Sequence, residues 1–207
     1  MYSHYIWDFD GTLFDSYPQM TRAFQQALSD LGYSHTSNEI LSHLKISVST
    51  CIKYYQEKHN LGEELRRIYR SYERNVEFIP IEPYPFLNEV LTKITELGGR
   101  NYLYTHRDHV AIDYLSKYHL DDLFADFITS EDGFLSKPAP DAINHLIKKH
   151  NMNKDDAIMV GDRDIDILAG HNAGVVGCLF DPDNFFPHCK VEFRVKSMRE
   201  FMTIVMK

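Results

Sequence analysis

From Phe86 onward, short apolar and β-branched runs alternate with longer amphipathic ones, and this rhythm limits the fold more than any other feature of the sequence. The helical runs are Phe86–Leu97, Asp108–Tyr118, Pro140–His150 and Arg163–Ala173. The strand-like runs are Arg100–Tyr104, Phe127–Thr129, Ala157–Val160 and Val175–Phe180, and a last strand and helix are expected between about Glu192 and Met206. Strands and helices in this alternation are joined by right-handed crossovers into a sheet covered on both faces. The expected fold is therefore α/β, a doubly wound, mostly parallel sheet. Binding sites in such sheets lie beyond the carboxyl ends of the strands.

One strand stands apart. His4–Phe9 is aromatic and β-branched and runs into the acidic turn Asp8-Phe9-Asp10-Gly11-Thr12, yet residues 16–80 follow it with helical patterns at Thr21–Leu31, Asn38–His59 and Glu63–Phe78 and almost no strand signal. Prolines at 80, 83 and 85 make Ile79–Pro85 the natural return linker. The organisation read from this is an α/β core of residues 1–15 and 81–207 with a helical insertion over 16–80. A chain of 207 residues suits one core domain with a modest insertion.

Thirty acidic and 22 basic side chains leave a formal charge of −8, which repels a nucleic-acid backbone, and no local basic face offsets it. No nucleic-acid partner is expected. No apolar run approaches the roughly 18 residues that span a bilayer, and the start MYSHYIWDFD has neither a basic n-region nor an apolar core, so the expected location is cytoplasmic with no membrane partner. Cys51, Cys178 and Cys189 are odd in number and lack CxxC spacing, which reads as reduced, structural thiols. An acidic protein that handles phosphate needs metal ions or a few placed cations.

Asp8 and Asp10 are two apart at a strand end, so their side chains tend to one side, and Gly11 allows a close turn around a ligand. Adjacent carboxylates either share a cation or separate their pKa values, as a nucleophile and a general acid do. A polar turn explains the same fragment equally well. Gly161-Asp162-Arg163-Asp164-Ile165-Asp166 follows the strand-like run Ala157–Val160 and delivers a second acidic group to the same sheet edge. With a helix starting near Arg163, Asp162 and Asp166 face one site while Asp164 points elsewhere. Oxygen ligands without histidine or thiolate suit Mg2+; a capping turn is the other reading. Thr105 ends a strand, where its hydroxyl can bind an anionic oxygen or cap a helix. Lys137, in Ser136-Lys137-Pro138-Ala139-Pro140, is a cation in a loop that the strand order brings to the acidic edge.

Asp8-Phe9-Asp10-Gly11-Thr12, Thr105, Lys137 and Gly161-Asp162 with Asp166, in this order, resemble the haloacid dehalogenase (HAD)-like hydrolase superfamily over nearly the whole chain. The opening Trp7–Ser16, the insertion after it and Lys137-Pro138 are most similar to the phosphoglycolate phosphatase and β-phosphoglucomutase branch, whose members carry a helical cap on a Rossmann-like core. The resemblance implies a magnesium-dependent phosphatase of a small phosphorylated metabolite, acting through an aspartyl-phosphate. Asp8 would be the nucleophile and Asp10 the acid and base, with a raised pKa. Mg2+ would be held by the Asp8 carboxylate, the Asp10 main-chain carbonyl and Asp162. Thr105 and Lys137 would bind phosphoryl oxygens, and Asp166 would order the metal's water shell or Lys137.

The residue after the motif threonine, usually asparagine or glycine in this branch, is His106, followed by Arg107, and either is a candidate contact for an anionic leaving group or a residue that points outward. In the insertion, His43–Thr50 is the candidate contact region, with Lys45 as the first substrate-binding candidate and Ser47 and Ser49 behind it. It lacks the glycine and arginine that mutases of the branch carry after the lysine, which weighs against a sugar-phosphate mutase. Arg66, Arg67, Arg70 and Arg74 are interspersed with Glu63, Glu64, Glu73 and Glu77 and read as a solvated, salt-bridged face. A dehalogenase needs no Asp10 acid, and a non-catalytic binder needs no cluster of repelling carboxylates. A monomer or weak homodimer is expected.

Overall fold

The computed structural model describes residues 2–74 and 80–206. The chain divides into two compact units, Met1–Phe14 with Pro83–Lys207, and Asp15–Glu82.

The first unit holds a six-stranded sheet of β1 (His4–Trp7), β4 (Arg100–Tyr104), β5 (Phe124–Ile128), β6 (Ala157–Gly161), β7 (Val176–Phe180) and β8 (Phe193–Val195). The remaining strands β2 (Phe14–Asp15) and β3 (Glu82–Pro83) pair as a two-stranded ribbon where the chain passes between units. The large sheet has the order β5-β4-β1-β6-β7-β8, and every pairing in it is parallel. β1 is thus central, and the strand order reverses there, which opens a crevice at its carboxyl end.

Alternation along β1 explains the two layers. Ile6 joins a buried cluster with Tyr102, Met159, Ile143, Leu146 and Ala169, from α7 (Asp141–Lys149), α8 (Asp164–Ala173) and the neighbouring strands. Tyr5 and Trp7 project oppositely and meet Phe201 of α9 (Met198–Val205), whose ring lies 4.9 Å from that of Trp7. The indole Nε1–H donates to Asn101 Oδ1 at 3.0 Å, and the Asn101 amide donates to the Leu91 carbonyl in α5 (Leu87–Glu96), so a polar residue inside β4 is satisfied. Helix α6 (Val110–Lys117) follows β4.

The second unit is helical: α1 (Tyr17–Asp30), α2 (Ser37–Leu44), α3 (Val48–His59) and α4 (Glu64–Glu73). Its core centres on Phe24, whose ring lies 4.5 Å from Tyr69 and 6.1 Å from Tyr55. The single helix expected over Asn38–His59 is two helices. Ser47 takes an extended conformation and its Oγ accepts from the Thr50 N–H at 2.9 Å, so it caps a new helix. The helix expected over Glu63–Phe78 runs as Glu64–Glu73, and its residues 75–78, with linker residue 79, lie outside the described residues. Within the expected charged face, Arg66 pairs with Glu63 at 3.1 Å.

Two further boundaries differ from expectation. β1 ends at Trp7 because the Phe9 carbonyl accepts from the Leu13 and Phe14 N–H groups, both at 3.1 Å, which turns the chain before Phe9 can extend the strand. β5 starts three residues before Phe127, with Asp126 inside it; the carboxylate is held by His150 at 2.7 Å and Lys149 at 2.8 Å. The three cysteines are free thiols, Cys51 and Cys178 buried and Cys189 partly so. Among the described residues no helix is long and apolar enough to cross a membrane.

Candidate active site

Three neighbouring strands end at one place. The Asp8 N–H continues the ladder to the Val160 carbonyl of β6 at 2.9 Å, and the Thr105 N–H does the same to Ile128 of β5. Asp8, Thr105 and Asp162 therefore follow the carboxyl ends of β1, β4 and β6. After Asp8 the backbone folds tightly: Gly11 sits at φ +76°, a conformation in which a side chain is strained, and its N–H donates to the Phe14 carbonyl at 2.8 Å.

Lys137 is the centre of the charge arrangement. Its ammonium contacts Asp8 Oδ1 at 2.6 Å and Asp166 Oδ1 at 2.8 Å, and lies 4.5 Å from the centre of the Tyr104 ring. All three ionic side chains are buried. Burial alone would lower the lysine pKa, but the negative Asp166 and Asp8 outweigh it and raise it. Burial pushes the Asp8 carboxyl up to about 7 against the pull of Lys137, while Lys137 and Arg163 hold Asp166 below the usual carboxylate range despite burial. The Lys137–Pro138 peptide is cis.

Asp166 sits where it does because Gly161 has no side chain. A Cβ at 161 would lie 2.2 Å from the Asp166 Cβ. Asp166 Oδ2 also accepts the Arg163 N–H at 3.0 Å, closing the first turn of α8. Asp164 is exposed, as expected.

Oxygens of Asp8, Asp162 and Asp166 lie within 4.8 Å of one another, and Asp8 Oδ2 is buried with no hydrogen-bond partner among the described residues. An all-oxygen donor set around an unsatisfied buried carboxylate oxygen fits a hard divalent cation such as Mg2+. Of Asp10 the main-chain carbonyl is the expected ligand, and its carboxylate is engaged elsewhere. Both of its oxygens accept from Arg107, Oδ1 from Nη2 at 2.6 Å and Oδ2 from Nε at 3.2 Å.

Thr105 is buried, and its Oγ1 accepts the Arg107 N–H at 3.0 Å, which leaves the hydroxyl hydrogen to donate elsewhere. His106 has one side exposed, yet its Nε2 accepts the Lys137 backbone N–H at 3.0 Å. That bond requires a neutral ring protonated at Nδ1. Burial of the ring first, then the positive Lys137 and Arg163, lower the His106 pKa to about 4. Lys45 belongs to the helical unit, where it is 6% exposed with its ammonium 3.9 Å from the Tyr17 ring centre, so it is not a surface charge.

Three contributors were not singled out by the sequence: Gly161 as the space for Asp166, Tyr104 beneath the Lys137 ammonium, and the Arg107–Asp10 pairing. Tyr104 carries a readable signal, since it immediately precedes Thr105 on a strand.

Residues 5–179 match the family model of the haloacid dehalogenase-like hydrolases. A phosphoglycolate phosphatase of Aliivibrio fischeri (strain ATCC 700601 / ES114) is 30% identical over 179 residues, covering 81% of this chain and 78% of its own. Pyrophosphatase PpaX of Bacillus pumilus (strain SAFR-032) is 25% identical over 207 residues, with 97% and 94% covered. Among solved structures, a predicted phosphoglycolate phosphatase from Haemophilus somnus 129pt shares the fold, with a TM-score of 0.84 at 19% identity, covering 98% of this chain and 97% of that one.

Proposed function

Because the chain belongs to the haloacid dehalogenase-like hydrolases, we propose that it is a magnesium-dependent phosphatase of a small phosphorylated metabolite that works through a phosphorylated Asp8. The observation that carries this reading is Asp8 itself: one oxygen held by Lys137 at 2.6 Å, the other buried and unengaged among carboxylates of Asp162 and Asp166. The lysine fixes the orientation of the carboxylate, which suits Asp8 to act as a nucleophile.

In the first step an oxygen of the Asp8 carboxylate bonds to phosphorus and the bond to the leaving oxygen breaks. Asp10 gives that oxygen its proton. In the second, water attacks phosphorus, Asp10 takes the water's proton, and the Asp8–phosphorus bond breaks to release inorganic phosphate. Thr105 donates its hydroxyl hydrogen to a phosphoryl oxygen, and Lys137 offers positive charge to another. Asp8, Asp162 and the main-chain carbonyl of Asp10 would hold Mg2+, with Asp166 behind them; bound there, the ion would offset charge on the phosphoryl oxygens. His106 keeps the Lys137 loop in place through its accepted N–H.

The test is phosphate release from 2-phosphoglycolate, sugar phosphates, nucleotides, pyrophosphate and 4-nitrophenyl phosphate, with Mg2+ and with chelator. Magnesium-dependent release that ranks the panel is expected. Folded protein that releases no phosphate from any member, or that moves phosphate between sugar positions without releasing it, overturns the reading.

A further inference from the structure

The carboxylate with the proton-transfer role and the guanidinium beside it form a pair that must open for the chemistry to proceed. Asp10 has both oxygens on Arg107, at 2.6 and 3.2 Å, and the Arg107 guanidinium carbon lies 5.6 Å from the centre of the Phe9 ring. The Arg107 side chain is 10% exposed and that of Asp10 23%, so the pair is largely withdrawn from water but open on one side. The Arg107 N–H is fixed to Thr105 Oγ1 at 3.0 Å, which anchors the arginine backbone to the residue proposed to bind the phosphoryl group. Only the side chain has to move. A fork of this shape binds carboxylates and phosphates interchangeably, because both present two oxygens at matching spacing.

We propose that Arg107 is a specificity-determining residue that binds a second anionic group on the leaving side of the substrate, a carboxylate or a second phosphate, and that it leaves Asp10 to do so. Resting on the phosphatase reading above, this names the substrate class: phosphate compounds whose leaving group carries its own negative charge. Exchange of one oxyanion partner for another costs Arg107 little, since it keeps a bidentate acceptor throughout. Without the guanidinium Asp10 can take a proton from water and present it to the leaving oxygen, so the charged leaving group assembles its own catalyst. A neutral leaving group offers the guanidinium nothing in exchange, and Asp10 stays engaged. The selectivity therefore comes from differential transition-state binding rather than from general attraction of anions.

The experiment compares wild type with Arg107→Gln and Arg107→Lys on 2-phosphoglycolate and pyrophosphate against ethyl phosphate, whose alcohol leaving group is uncharged and needs its proton as glycolate does, reading kcat and KM separately. The expected result is that the ratio of kcat/KM for either substrate with a charged leaving group over ethyl phosphate falls about tenfold or more in Arg107→Gln, with a smaller fall in Arg107→Lys, which keeps charge but loses the fork. Added guanidinium ion should restore part of the ratio in Arg107→Gln. An equal loss on all three substrates would make Arg107 only a support for Asp10 and overturn the inference while leaving the phosphatase reading intact. A ratio unchanged in both variants overturns it likewise. Wild-type protein inactive on every substrate overturns the phosphatase reading, and this inference with it.

Discussion

Replacing Lys137 by Met removes the cation that bridges Asp8 and Asp166 while roughly keeping side-chain volume. The lysine side chain is 0% exposed, Asp8 2% and Asp166 0%, with contacts of 2.6 and 2.8 Å. At an effective dielectric of about 20, each contact is a Coulomb attraction of about 6 kcal/mol, an upper bound before desolvation is counted. Removing one partner of a buried pair strands the other; here Asp8 loses its 2.6 Å partner and Asp166 keeps Arg163, at 3.9 Å, with Asp162 alongside; the expected loss is about 3–5 kcal/mol. Protonation is the escape. Asp8 is already pushed up to about 7; without the lysine it rises further, and Asp166 loses the main cation that holds its carboxyl low. A folded-state pKa above the unfolded one means that folding takes up protons, so stability of the variant increases as pH falls from about 8 toward 5. Urea unfolding at several pH values measures this. The added substitution Asp166→Asn should recover part of the loss by removing one stranded charge. A loss below about 1 kcal/mol at pH 8, or one that does not shrink on acidification, would refute the reasoning.

Gly161→Ala places a Cβ 2.2 Å from the Asp166 Cβ; overpacking of about 1–3 kcal/mol is expected by urea denaturation, with weakened Mg2+ binding by calorimetry, and a neutral result would mean that α8 shifts freely. His106 titrates near 4 in the fold against about 6.5 when unfolded, so its contribution to stability is full above pH 6.5 and is lost as pH falls toward 4; thermal midpoints of wild type should drop more steeply over this range than those of His106→Gln, and parallel curves would contradict the assigned hydrogen bond to Lys137. With Asp8 near 7 in the metal-free protein, Mg2+ binding at pH 7 should release about half a proton per ion and close to none at pH 9, read by calorimetry in buffers of different ionisation enthalpy; no release at pH 7 would remove Asp8 from the ligand set.

Much of the fold was legible because period and punctuation agree. The alternation after Phe86 gave the parallel sheet, and α5 ends at Glu96, one residue short of the expected Leu97, with Gly98 at φ +82° just beyond it. The failures lie where a side chain overrides the pattern. Asp126 interrupts the apolar run of β5, and its bonds to His150 and Lys149, distant in sequence, help make it acceptable there. Ser47 looks like one polar residue on a long helix until its hydroxyl caps a new one. In the site, the meeting of Asp8, Asp162 and Asp166 follows from strand order, which chain periodicity supplies. The Arg107–Asp10 pair does not, because it depends on a rotamer choice across 97 residues of sequence, and Asp10 was expected to stand as an acid rather than beneath a guanidinium. Lys45 shows the same limit: its sequence neighbours do not reveal that it is buried over Tyr17.

The central claim is that Asp8 becomes phosphorylated. Acid-quenching the protein seconds after mixing with Mg2+ and a substrate it turns over, followed by peptide mapping by mass spectrometry, tests it directly. The account predicts one phosphoryl group on the peptide that contains Asp8, and neither label nor turnover in Asp8→Asn. Turnover that persists in Asp8→Asn, or a phosphoryl group trapped on another residue, would contradict it.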